Sequence, residues 1–168
     1  MKNILIFFGL IALSLSTCSP GPQSEVSVES IQRFDRPDAS ILKGLSIPAD
    51  KKLFISSGQV TAPLHMDQPD GSLERYGNTY EQSVGTLEKL NAVLKEAGLS
   101  LADVVYLGVF IAPDPRGDGS IDFDAWFRAY GQYFNNEKNP VKTARTTLGV
   151  AALARPYLLV EVEAIAVY

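Results

Sequence analysis

Leu158–Val167, LLVEVEAIAV, decides how this chain is layered. Side chains alternate across a strand, so Val160, Val162, Ala164 and Ala166 share one face and suit a packed core. The other face carries Leu159, Glu161, Glu163, Ile165 and Val167, which is too apolar to be simply wet. A sheet with one face covered and the other partly apolar and open expects a partner surface, most simply further copies of the same chain.

Upstream segments supply the cover. Asn78-Thr79-Tyr80-Glu81 has the pattern of a capping box, with a side-chain acceptor followed three residues later by a carboxylate. Val84, Leu87, Leu90 and Leu94 then repeat on one helical face, and the helix is predicted to stop at Ala97-Gly98. A second helix presents Phe123, Trp126, Phe127, Tyr130 and Phe134 at i, i+3, i+4, i+7 and i+11, a spacing that reads as core and not as a base-stacking platform. The apolar run DVVYLGVFIA, Asp103–Ala112, has the length of a buried strand. SILKGLSI and KLFISSGQV flank Pro48-Ala49-Asp50-Lys51 and are predicted as two strands joined by a turn. Thr61–Tyr76, with Pro63, Pro69 and Asp70-Gly71, reads as loop. With strands at Lys142–Val150 and Leu158–Val167, the order is β-β-α-β-α-β-β, an α+β chain whose two helices cover one sheet face.

The 168 residues carry a net charge of −4 and a pI of about 5.0, which disfavours nucleic acid as a partner, because phosphate neutralisation needs clustered Lys and Arg. One small anion needs only one placed arginine. The N-terminus has a different character. Lys2 precedes the apolar run Ile4–Leu15, which is too short for the ~30 Å hydrocarbon core that takes about 20 residues, but has the size of a signal-peptide core. Leu15-Ser16-Thr17-Cys18 resembles a bacterial lipoprotein signal. Residues 1–17 are therefore expected to be a signal peptide. Residues 18–33 are expected to be a tether lipidated at Cys18, and residues 34–168 the folded domain. Such a chain is expected to be exported, as a lipoprotein on the periplasmic side or anchored at the outer membrane and meeting the membrane only through its N-terminal lipid, or otherwise as a soluble periplasmic protein. Cys18 is the single cysteine, so no internal disulfide forms and a Cys/His metal site is not expected.

Five motifs occur in order: ISSGQV, a Gln-led helix ending LKEAGLSLADVV, AYGQYF, ARTTLGVAALA and VEVEAIAV. As a set, running from about Leu53 to Tyr168, they resemble the Rid family, the YjgF-like reactive-intermediate deaminases also labelled endoribonuclease L-PSP. The resemblance implies a chorismate-mutase-like two-layer sandwich, a homotrimer with clefts at its subunit interfaces, and no cofactor. It implies hydrolysis of 2-imino acids and enamines to 2-oxo acids and ammonia. Arg145 matches the family arginine that grips the substrate carboxylate, and Glu161 the glutamate associated with the hydrolytic water. Ser57, Gly58, Gln59 and Thr147 would line the pocket. Several positions depart from the family pattern. Ser40-Ile41-Leu42-Lys43 stands where a tyrosine is usual, Phe127 and Lys89 replace asparagines, Thr143 replaces a proline, and Thr147 a cysteine. The alternative is a non-catalytic trimer that binds small carboxylates in the same clefts. Ribonuclease action, suggested by the older label, conflicts with the acidic balance.

The residues support the carboxylate grip independently. A guanidinium matches a carboxylate with a planar fork that an ammonium lacks, and each charge-assisted hydrogen bond is worth about 1.5–3 kcal/mol. A carboxyl group at Glu161 could move protons during imine hydrolysis, an effect worth roughly 10²–10⁴-fold. A hairpin centred on Leu153 would set Arg145 directly opposite Glu161 on one face. In that register the two could equally be a cross-strand ion pair worth at most ~1 kcal/mol. Glu163 reads as a solvated or interface carboxylate. His65 is a loop residue with no metal or nucleophile partner, and Asp114, Asp118, Asp122 and Asp124 form a solvated turn lacking calcium-loop spacing. Ser56-Ser57-Gly58 lacks the G-x-S-x-G pattern of a serine hydrolase.

Overall fold

A computed structural model describes residues 30–168. The expected signal peptide, Cys18 and most of the expected tether lie outside the described residues. Among those described, no helix is long and apolar enough to cross a membrane.

Strands β1 (Gln32–Phe34) and β2 (Gly44–Ser46) form a small antiparallel sheet. The main sheet contains β3 (Leu53–Ile55), β4 (Val104–Ile111), β5 (Ala144–Gly149) and β6 (Val160–Val167) in the order β3-β6-β4-β5. It is mixed: β6 runs antiparallel to β3 and β4, and β5 runs parallel to β4. Helices α2 (Thr79–Glu96) and α3 (Phe123–Tyr133) lie on one face, and the four-residue α1 (Leu73–Tyr76) interrupts the segment expected to be loop.

Local chemistry explains the elements. The Asn78 side chain accepts from Glu81 N at 3.0 Å and the Glu81 carboxylate accepts from Asn78 N at 2.8 Å, closing the expected capping box. Gly98, at φ +75°, ends α2 in the left-handed region. Leu87, Leu90 and Leu94 of α2 join Trp126, Tyr130 and Phe134 against Leu107, Val109 and Ile111 of β4 and Val160, Val162, Ala164 and Ala166 of β6. Each large side chain buried there contributes about 1.5–3 kcal/mol. Gln82 is fully buried within this apolar layer. Its amide donates to Tyr157 O (2.9 Å) and Gly77 O (3.2 Å), and its carbonyl oxygen accepts from Leu159 N (2.8 Å), pinning the chain that leads into β6.

Three expectations change. The SILKGLSI strand pairs with β1, not with KLFISSGQV, whose Leu53–Ile55 pairs with the far end of β6. The end of the expected tether belongs to the fold, since Gln32 and Arg33 are part of β1 and Arg33 Nη1 donates to Lys142 O at 3.0 Å. The hairpin register fails most consequentially. β4 lies between β5 and β6, because parallel strands need a long crossover and the β4–α3–β5 segment supplies one. One row across the sheet runs Arg145–Leu107–Ala164 and another Leu148–Phe110–Glu161. Arg145 therefore shares a face with the core-facing Leu107, while Glu161 stands on the opposite, uncovered face.

Candidate functional site: two half-sites on opposite sheet faces

Arg145 lies on the edge strand β5, and its half-buried side chain turns toward α3. The guanidinium carbon is 4.2 Å from the centroid of the Tyr130 ring and 5.2 Å from that of Phe127. Tyr130 is a fixed platform: its hydroxyl donates to Ser40 O at 3.1 Å and lies 3.2 Å from Thr143 Oγ1. Cation–π contact holds the cation without neutralising it. Nη1 is buried and has no hydrogen-bond partner, and no carboxylate pairs with Arg145 among the described residues. Burial pushes the Arg145 pKa down, and Tyr130 partly offsets this. A guanidinium has ample room to fall and remain charged. A buried, charged donor with no acceptor is costly in isolation, so the arrangement suits an anionic ligand. Thr147, two residues along, shares the Arg145 face.

The second set gathers along β6, with Glu161 on the open face. Ser56 N donates to Ala164 O at 2.9 Å, and Gln59 and Val162 exchange backbone hydrogen bonds of 2.7 and 2.9 Å, so Ser57-Gly58-Gln59 runs along β6. The Glu161 carboxylate lies against Gly58, where any Cβ would overlap Oε1. Glu163 lies against Gly108 in the same manner. Phe110, Val150, Leu153, Glu161 and Glu163 line a cavity of about 400 Å³ beneath the loop that follows β5. Of the residues singled out in the sequence, Ser57, Gly58, Gln59 and Glu161 thus come together, as do Arg145 and Thr147. The two sets remain apart within one protomer, and the ion-pair reading of Arg145 with Glu161 is excluded there.

Tyr130 and Phe127 are the neighbours of Arg145 that the sequence did not reveal. Trp126, Tyr130 and Phe134 are core as expected, but Phe127 is 44% exposed and borders the guanidinium. Only the helix–strand packing shows this, since no local spacing links residues 127 and 145. The acidic turn is structural: Asp114 pairs with Arg116 at 2.6 Å, Asp118 accepts from Ser120 N, and Asp122 caps α3 through Ala125 N. Among the described residues, no three His, Cys, Asp or Glu side chains are arranged to hold a metal ion. His65 lies 3.5 Å from Glu81 Oε1 at the surface.

The layered architecture, with two long helices backing one face of a mixed sheet, is the chorismate-mutase-like α+β sandwich. It matches the YyfB protein of Yersinia pestis, of the conserved Rid family, with a TM-score of 0.61 at 23% identity over 83% of this chain and 99% of that one. It also matches the YjgF gene product of E. coli, with a TM-score of 0.52 at 26% identity over 72% and 84% of the two chains. A RutC family protein of Synechocystis is 34% identical over 122 residues, 73% of this chain and 82% of that protein. Another from Pyrococcus abyssi is 32% identical over 107 residues, 64% and 75% of the respective chains. The family described as Endoribonuclease L-PSP matches residues 47–168. The chain belongs to this family, the Rid or YjgF family.

Proposed function

We propose that the protein hydrolyses small reactive 2-imino acids and enamines to 2-oxo acids and ammonia. The observation that carries the reading is the unpaired, half-buried Arg145 guanidinium stacked on Tyr130. Its free N–H groups suit a carboxylate, which would fix the adjacent C=N carbon. Glu161 takes a proton from water as its oxygen bonds to that carbon, giving a carbinolamine. The proton returns to nitrogen to complete the carbinolamine, and transfer of its hydroxyl proton to the same nitrogen breaks the C–N bond as the C=O forms, releasing ammonia and leaving the 2-oxo acid. The substrate supplies the electrophile and water the oxygen, so the balance requires no other reactant.

Opposite-face placement makes this reading depend on assembly. A site using both residues takes Arg145 from one copy and Glu161 with Ser57-Gly58-Gln59 from another. The apolar open face supports such packing, with the trimer implied by the sequence resemblance as its simplest form. Phe127 beside the arginine favours a second reading, a binder of small carboxylates without turnover, because an aromatic ring there can neither donate nor accept a proton.

The test is hydrolysis of imines generated in situ by an amino-acid oxidase, using the full chain in mild detergent and its Arg145→Ala variant. Turnover above buffer that disappears with Arg145→Ala is the expected result. Binding of 2-oxo acids with no imine turnover in the wild type would establish the binder instead.

A further inference from the structure

We propose that Phe127 and Phe123 set the specificity of the Arg145 half-site, selecting 2-imino acids with branched or aromatic side chains. The proposal rests on the carboxylate-grip reading and assigns its substrate class.

The Phe127 ring borders the guanidinium and keeps 44% of its surface exposed, an apolar face presented beside the group that would hold the carboxylate. Phe123 stacks on Phe127 with centroids 6.5 Å apart, one helical turn back along α3. Gly149, on the same sheet face as Arg145 and Thr147, has no side chain, and Ile121 and Phe123 occupy the space beside it. A Cβ there would stand 3.4 Å from Phe123 Cζ and would crowd Ile121 Cδ1. Phe127, Phe123 and Ile121 thus form an apolar rail running beside Arg145, Thr147 and Gly149. In a 2-imino acid the side chain departs from the carbon that also bears the carboxylate. A carboxylate on Arg145 therefore brings that side chain within reach of the rail. The far end is acidic on balance: Asp118, Asp122 and Asp124 line the same cavity as Ile121 and Phe123, and the one cation there, Arg116, is already paired with Asp114. A second carboxylate on the ligand would meet like charge there, whereas an apolar side chain would bury its surface on the rings.

The experiment measures Kd values of the full chain in mild detergent for pyruvate, 4-methyl-2-oxopentanoate, phenylpyruvate and 2-oxoglutarate. Wild type, Phe127→Asn, Phe127→Leu and Arg145→Ala are compared, each checked for an unchanged melting temperature. The two apolar acids are expected to bind about tenfold or more tighter than pyruvate, the discrimination a few methylenes give in an apolar site, with 2-oxoglutarate weakest. Phe127→Asn should reduce the phenylpyruvate-to-pyruvate ratio at least about fivefold, and Phe127→Leu should retain most of the preference for 4-methyl-2-oxopentanoate. Equal wild-type affinities that all vanish with Arg145→Ala would leave the carboxylate grip standing and overturn the specificity. A preference that survives Phe127→Asn would overturn the assignment to the rail. Affinities indifferent to Arg145→Ala would overturn both readings.

Discussion

Arg145 combines three properties seldom found together: burial, positive charge and the lack of an internal acceptor. The rings of Tyr130 and Phe127 hold the guanidinium in place, but their faces leave its N–H groups unpaired. A lysine there would lose both the fork and the stacking, so the residue type matters as much as the charge. Glu161 is positioned differently, by the absence of a side chain at Gly58. If Glu161 moves protons while Arg145 binds, the two roles separate experimentally. Glu161→Gln keeps the shape and is expected to lower kcat for imine hydrolysis by roughly 10²–10⁴-fold. The Kd for 2-oxo acids should change only a few-fold, as titration calorimetry beside steady-state kinetics would measure. Unchanged kcat would remove Glu161 from the chemistry.

At the scale of elements, the β4–α3–β5 crossover does the positioning. It places β5 at the sheet edge with α3 above it, so residues 127 and 130 meet residue 145. Helix α2 plays the corresponding part for β6 through Gln82, whose amide ties α2 to Tyr157 O and Leu159 N. Removing that amide strands a buried N–H and two carbonyl groups in an otherwise apolar layer. Gln82→Leu is therefore expected to destabilise the fold by about 2–3 kcal/mol, measured as a lower urea midpoint at constant slope. A midpoint within error of wild type would mean that the loop before β6 finds other partners.

For the whole molecule, the open sheet face is the dominant feature. Ile55 is 70% exposed, Leu53 49% and Leu148 48%, and all three lie on the Glu161 face by register. Apolar surface of this kind on an acidic protein suits contact with other copies of the chain. Ile55→Asp places a charge at the most exposed of these positions while touching none of the core. Light scattering after size exclusion is expected to show an oligomer for wild type and a protomer-sized species for Ile55→Asp, with the protomer's helicity retained. Imine turnover should fall with the assembly, because Arg145 and Glu161 cannot meet within one copy. A wild type that is monomeric at micromolar concentration would remove the shared cleft.

Periodicity alone determined α2, with its capping box and Gly98 stop, the buried strand β4, and the alternation that puts Glu161 with Glu163 and Arg145 with Thr147. These are local properties, fixed by backbone geometry and by which side chains avoid water. The motif set carried the family, because it encodes the order of elements and not their pairing. Tertiary structure decided the partners: β4 between β5 and β6, β1 with β2, and the aromatic seat of Arg145. Strand register across a crossover depends on how α3 packs its aromatic face, a balance of contacts between residues far apart in the chain. A short loop between β5 and β6 looked like a hairpin, yet the core accepted β4 there because its Leu107, Val109 and Ile111 face both helices. That one insertion moved Arg145 and Glu161 to opposite faces.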